Sequence, residues 1–250
     1  MSEQGLQFKD CVFDNEGRFN VAGVRFNTSV TDYTRRTTSE EIVLLKSKEI
    51  LDFYRQKFEG KPISRILEFG TWEGGSPIYF AAATNARKIV GIDIRDPAAA
   101  IEAQAAKFGE RLKLVYNTSQ ADRDKVGAAI DREFDGPIDL VFDDASHQYE
   151  LTKAAFEIAF ARLRVGGYYI IEDWNWAHYA DRQFDNMWAA QPALSNLALE
   201  IVLALGSYGP IESIEIRKWC VVIEKGAEVA RDFRLEDLIR MGERRRYTRY

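Results

Sequence analysis

Two runs in the middle of the chain end in acids: Phe142-Asp143-Asp144-Ala145-Ser146-His147 and Ile170-Ile171-Glu172-Asp173-Trp174. Each closes an apolar stretch of strand type, and a segment of helical character with a Gly166-Gly167 turn separates them. Carboxylates at the carboxyl ends of neighbouring parallel strands converge in the crevice where open α/β sheets bind ligands. Asp144, Glu172 and Asp173 offer hard oxygen ligands that suit Mg²⁺ or Mn²⁺ better than zinc. His147 lies three residues after Asp144, and an imidazole with an ordinary pKa of about 6.5 can take a proton at neutral pH. The chain holds only His147 and His178, so a site of two histidines and one carboxylate for iron is not expected. A cation lowers the pKa of a coordinated hydroxyl, and a nearby base removes its proton. Plainer readings stand beside these. Asp143 would cap the helix after His147, His147 would be a satisfied residue at a helix start, and Glu172 would be structural with Asp173 the ligand. Ionisable residues clustered at strand ends favour the site.

A second constellation precedes the acids. Ile66-Leu67-Glu68-Phe69-Gly70-Thr71-Trp72-Glu73-Gly74-Gly75-Ser76-Pro77 passes from an apolar strand into a helix. Glycine lets such a loop turn sharply and approach a ligand closely. Ser76 suits the N-cap and Pro77 the first helical position. The spacing is acid-x-Gly-x-x-x-Gly-x-Ser, unlike the G-x-G-x-x-G of nicotinamide enzymes. That spacing counts against an oxidoreductase of the doubly wound class. Val90-Gly91-Ile92-Asp93-Ile94 then ends a strand with a carboxylate able to hold two ribose hydroxyls. The alternatives are a turn that binds nothing and an Asp93 that caps the next helix.

These residues need elements to position them. Short apolar strands are expected at Ile66–Phe69, Lys88–Ile94, Lys113–Tyr116, Ile138–Phe142 and Tyr168–Glu172, separated by helices near 76–86, 97–108, 120–131, 148–163 and 180–198. Such alternation means βαβ units and a parallel sheet covered on both faces. Leu199–Leu205 and Ser213–Glu224 read as two further strands joined by Gly206–Pro210, an antiparallel pair at one sheet edge. Upstream, residues 1–37 are polar, aromatic-rich and aperiodic. Thr38 and Glu41 have capping-box spacing, Ile42, Leu45, Ile50, Phe53 and Tyr54 partly follow helical spacing, and Gly60 with Pro62 ends that helix. The expected division is an N-terminal extension and helix over 1–60, then one domain over 61–250. Tyr33, Arg35 and Arg36 read as solvated loop residues, with a lid as the alternative.

The chain has 250 residues, 46% of them hydrophobic, enough for a core. A formal net charge of -5 argues against nucleic acid or an anionic membrane as the main partner. Cys11 and Cys220 lie far apart with no C-x-x-C, and no signal peptide or spanning segment is visible. A cytoplasmic setting is expected. A homo-oligomer is left open.

The run Glu68–Ser76 with Asp93 resembles the first two motifs of class I S-adenosylmethionine-dependent methyltransferases, over roughly residues 60–225. The resemblance implies a Rossmann-like, doubly wound α/β fold with a mostly parallel seven-stranded sheet and an antiparallel last strand pair. It implies that Glu68, Gly70, Gly74 and Ser76 belong to the cofactor loop, Gly70 and Gly74 lining the methionine and sulfonium part. It implies that Asp93 holds the ribose, and that Asn117, Ser119 and Asp122 contact adenine. Asp144-Ala-Ser-His147 with Glu172-Asp173 is similar to the metal-dependent macrolide-sugar O-methyltransferases and the cephalosporin hydroxylase-type family. That similarity implies Asp144, Glu172 and Asp173 as Mg²⁺ (or Mn²⁺) ligands and His147 as general base. The acceptor would be a hydroxylated small molecule, a sugar or glycosylated natural product. Ala145 stands where glycine is common in that family. A catechol-like phenol as acceptor, or a non-catalytic cofactor-binding protein of the same fold, remains the alternative.

Overall fold

The N-terminal segment, aperiodic in sequence, builds a sheet of its own. The computed structural model describes residues 5–28, 32–182 and 189–239, and the chain divides into two units, Met1–Thr118 and Ser119–Tyr250. In the first unit, β1 (Val12–Phe13), β2 (Arg18–Val21), β3 (Val24–Thr28) and β4 (Ile42–Leu44) pair in sequence order. β2 and β3 meet through Ala22 and Gly23, both at positive φ, the tight hairpin that matches strand twist. Phe19 and Phe26 stack at 5.0 Å, each with Tyr79 edge-on at 6.0 Å, so alternate side chains of this sheet form part of the unit's core.

The expected helix start at Thr38 is corrected. Thr38 Oγ1 accepts the amides of Glu40 and Glu41 in a turn, and Ile42–Leu44 follows as β4, parallel to β3. All three β4 residues are buried. Two β-branched residues and a leucine found a ladder partner, which outweighs weak helical spacing. Helix α1 runs Lys48–Phe58, with Ser47 Oγ accepting the Ile50 amide. Gly60 follows at φ 78, as a helix end favours.

The rest of this unit alternates as expected: β5 (Arg65–Phe69), α2 (Gly75–Ala83), β6 (Lys88–Ile92), α3 (Ala99–Ala105) continuing as a 3₁₀ turn to Arg111, and β7 (Leu112–Val115). β5, β6 and β7 are parallel neighbours. The second unit holds α4 (Arg123–Glu133), β8 (Ile138–Asp143), α5 (Tyr149–Phe160), β9 (Leu163–Glu172), α6 (Ser195–Gly206), β10 (Ile211–Ile216), β11 (Cys220–Lys225) and α7 (Leu235–Leu238). β8 and β9 are parallel, whereas β11 runs antiparallel to both β9 and β10. The seven strands β5–β11 belong to one mostly parallel sheet with an antiparallel end, the expected Rossmann-like α/β class.

Further boundaries differ from expectation. Leu199–Leu205 is helix, not strand. Leu197, Ala198, Ile201 and Ala204 are buried at helical spacing while Leu199 and Val202 face outward, a periodicity hidden inside an all-apolar run. The antiparallel pair comes instead from the segment read as one strand, which folds back at Arg217–Trp219 into β10 and β11. The Gly166-Gly167 turn lies inside β9, where pairing with β8 slips between Ile138 and Leu140. Of the helix expected over 180–198, residues 183–188 lie outside the described residues, and α6 begins only at Ser195. Among the described residues no helix is long and apolar enough to cross a membrane.

Candidate functional site

In the first unit the loop after β5 is held from within by Asp93. Its Oδ2 accepts the amides of Thr71 and Trp72, each at 2.8 Å, and its Oδ1 accepts the Arg95 amide at 2.9 Å. Those bonds let Trp72 keep φ 43, between Gly70 at φ 82 and Gly74 at φ 74. A side chain at Gly74 would strike Ile101 at 2.6 Å, so this glycine is required by both dihedral and space. The expected cap is corrected: Gly74, not Ser76, precedes the first residue of α2, and no side chain caps it. Ser76 and Pro77 are the second and third helical residues. Glu68 is buried within β5.

The same loop is gripped from outside by the N-terminal segment. Buried Glu73 accepts the Thr37 amide at 2.8 Å, and Thr37 Oγ1 donates to the Glu73 carbonyl at 2.7 Å. Arg36 and Arg95 lie 3.6 and 3.3 Å from the Glu73 carboxylate. The Arg36 guanidinium lies 5.7 Å from the Trp72 ring centre, and Tyr33 meets that ring edge-on at 6.5 Å. Tyr33 and Arg36 therefore touch the glycine loop rather than only solvent. Asn117 sits just past β7 at φ 53, its amide donating to the Arg95 carbonyl.

In the second unit, Ser119 Oγ accepts the Ala121 amide and Asp122 accepts the Lys125 amide at 3.0 Å as the N-cap of α4. Backbone and side-chain donors of Lys125 hold the Asp122 carboxyl below the usual carboxylate range.

The acidic strand ends of this unit converge in part. Asp144, His147 and Asp173, all half-buried, each offer a ligand atom within 4.8 Å of the others. Asp144 Oδ1 and His147 Nε2 are 3.9 Å apart. Among the described residues no other group of three or more His, Cys, Asp or Glu is so placed. Glu172 is the buried last residue of β9, opposite Cys220 of β11, and stands outside that group. Both His147 (φ 53) and Asp173 (φ 52) hold left-handed backbone, which for such residues persists only where the surroundings enforce it. The Asp173 amide is fixed by the Trp219 carbonyl at 2.8 Å. Helix α5 starts after Gln148, which leaves Asp143 free of a capping role.

Asp143 instead lies at the floor of the loop. It is fully buried, accepts the Tyr169 hydroxyl at 2.8 Å and an N–H of the Gln120 amide at 3.2 Å, and burial pushes its carboxyl up to about 7, against the Tyr169 hydrogen bond. Sequence reading passed over Gln120 and Tyr169, because neither is acidic and neither stands at a strand end. Trp176 packs its ring 4.3 Å from that of His147, and Arg182 sits 5.3 Å from the Trp176 ring centre. Trp174 donates to the Arg217 carbonyl and His178 shares a hydrogen bond with Ser195. Of the aromatic residues after the acidic pair, Trp176 thus faces the cluster, while Trp174 and His178 tie down local structure.

The family description "Methyltransferase domain" matches residues 67–174, from the strand before the glycine loop to just past the acid cluster. Over that stretch the chain is similar to a methyltransferase domain. The chain is 32% identical over 117 residues to demethylmacrocin O-methyltransferase of Streptomyces fradiae, covering 44% of this chain and 27% of that protein. Ribosomal RNA large subunit methyltransferase E of Desulfosudis oleivorans is 26% identical over 152 residues, 55% of this chain and 68% of that protein. Among solved structures, the MycE methyltransferase from the mycinamycin biosynthetic pathway, in complex with Mg, SAH and mycinamycin VI, matches with a TM-score of 0.55 at 24% identity, over 72% of this chain and 50% of that one. At that identity the likeness is one of fold. The chain spans about a quarter of the macrolide relative's length and half of the solved enzyme's.

Proposed function

We propose that this chain transfers a methyl group from S-adenosylmethionine to a hydroxyl oxygen of a sugar or glycosylated natural product, with a divalent cation and His147 activating that hydroxyl. The approach of Asp144, His147 and Asp173 to within 4.8 Å carries the reading. Two half-buried carboxylates on strand-end loops suit a hard cation that keeps access to solvent and substrate, and leave the neighbouring imidazole to act as a base. Asp144 and Asp173 would hold it, while Glu172 stays buried at the end of β9 outside the group. A bound Mg²⁺ or Mn²⁺ supplies Lewis acidity that makes an alcohol a better acid, and S-adenosylmethionine supplies the methyl on a sulfonium centre.

The remaining work falls to the chain. His147 accepts the hydroxyl proton at its imidazole, and the Trp176 ring 4.3 Å away restricts the imidazole's rotation. Gly70 and Gly74 keep the loop backbone open for the methionine part of the cofactor. Asp93 fixes that loop through the Thr71 and Trp72 amides, and Oδ1 keeps acceptor capacity for a ribose hydroxyl beyond its bond to Arg95. The relative named for O-methylation of demethylmacrocin and the fold neighbour holding Mg, SAH and mycinamycin VI support a glycosylated acceptor. The net charge of -5 weighs against RNA.

Calorimetric titration tests the proposal: S-adenosylhomocysteine first, then Mg²⁺ into the wild type and Asp144→Ala. Cofactor binding by both proteins, with a Mg²⁺ isotherm lost in Asp144→Ala, is expected. A wild type that binds cofactor but no divalent cation would remove the metal and leave a metal-free methyltransferase.

A further inference from the structure

Asp144 and His147 ride on the link between β8 and α5, and His147 occupies left-handed backbone there. A side chain held in that conformation needs support on both sides of the turn. Gln120 provides it. Its Nε2 donates to Asp143 Oδ1 at 3.2 Å, just before Asp144, and its Oε1 accepts the Ser146 amide at 3.0 Å, just before His147. A neutral primary amide can donate to a carboxylate and accept from a backbone N–H at once; a hydrophobic residue can do neither and a carboxylate only the second. Gln120 is 7% exposed, and the Tyr169 hydroxyl closes the other side of Asp143 at 2.8 Å.

We propose that Gln120 is a positioning residue for the Asp144–His147 pair: it clamps the β8–α5 link so that both groups face the cation. The proposal rests on the cation reading of the cluster. It also separates Gln120 from its neighbours Asn117, Ser119 and Asp122, whose positions suggested the cofactor. Residues that orient ligands from behind commonly change metal affinity by about 10–100-fold when altered.

The full chain is the object of the test, in two variants. Gln120→Met keeps the length of the side chain and loses both hydrogen bonds. Gln120→Glu keeps the bond to Ser146 and sets a second carboxylate against Asp143. For each, Mn²⁺ affinity is measured by electron paramagnetic resonance titration and S-adenosylhomocysteine affinity by calorimetry, with Tm recorded alongside. The expected result is a Mn²⁺ Kd raised about 10–100-fold in both variants, with cofactor affinity unchanged. Such a split would not arise from a general loosening of the fold. Wild-type Mn²⁺ affinity in either variant would overturn the clamp while leaving the cation reading intact. Loss of cofactor affinity instead would place Gln120 on the cofactor and overturn it too. A wild type that binds cofactor but no Mn²⁺ would remove the cation reading and the clamp together. Unfolding of both variants would make Gln120 a core residue and refute the positioning role.

Discussion

The Thr37 hydroxyl is one of the ties between the N-terminal segment and the glycine loop, so Thr37→Val is a sharp perturbation. The hydroxyl donates to the Glu73 carbonyl at 2.7 Å and accepts the Val43 amide at 3.1 Å. Thr37 is 6% exposed and Val43 3%. Valine keeps the shape and removes both bonds, leaving a buried carbonyl and a buried N–H without this partner. Each such loss costs about 1–3 kcal/mol, and burying a methyl in place of the hydroxyl returns about 0.8 kcal/mol. The net is a destabilisation of about 3 kcal/mol, or roughly 6–12 °C in Tm for a chain of this size. Urea unfolding and thermal melts measure it, and hydrogen exchange should show the Val43 amide losing protection. Thr38→Val is the control: Thr38 is exposed, its bonds serve a local turn, and its cost should stay below about 1 kcal/mol. Equal effects in the two variants, or an unchanged Val43 exchange rate, would refute the claim that Thr37 fastens the segment to the loop.

Asp93→Asn retains one acceptor oxygen and turns an NH₂ toward backbone donors, so S-adenosylhomocysteine affinity should fall about 10–100-fold. The cofactor-free Tm should fall as well, which a carboxylate serving ribose alone would not cause. His147→Asn preserves tolerance for left-handed backbone and should lower kcat by about 10²–10⁴ with cofactor affinity retained; near-native turnover on an identified acceptor would remove His147 as the base. Asp131 is held below its ordinary carboxyl range by Arg162 first and by Arg231, with its side chain half exposed. A carboxyl lowered by folding stabilises above its unfolded pKa, and the contribution disappears as pH falls through the folded value. Asp131→Asn should therefore be less stable than wild type at neutral pH, with the gap closing as pH falls through the lowered folded value in urea titrations; a gap that persists in acid would show that packing, not charge, is lost.

The sequence by itself determined the class of fold and the addresses of the strand ends. Short apolar runs bounded by turn residues, such as Ile66–Phe69 and Ile138–Phe142, read as buried strands from their own composition, and the glycines at 70 and 74 permit the positive φ that the loop takes. Those are local facts. Where two local solutions lay close in energy, tertiary contacts chose. Ile42–Leu44 became strand because β3 offered a ladder, and Leu199–Leu205 became helix because only one face found a core. The same holds at the site. Side chains alternate along a strand, so Glu172 and Asp173 cannot both point one way in a regular strand. The β9 end and a left-handed turn brought Asp173, rather than Glu172, within 4.8 Å of Asp144 and His147. Gln120 carries no chemical signal of its own. Only the approach of its amide to Asp143 on one side and Ser146 on the other makes it part of the site, because a hydrogen bond depends on distance and angle that residue type does not encode.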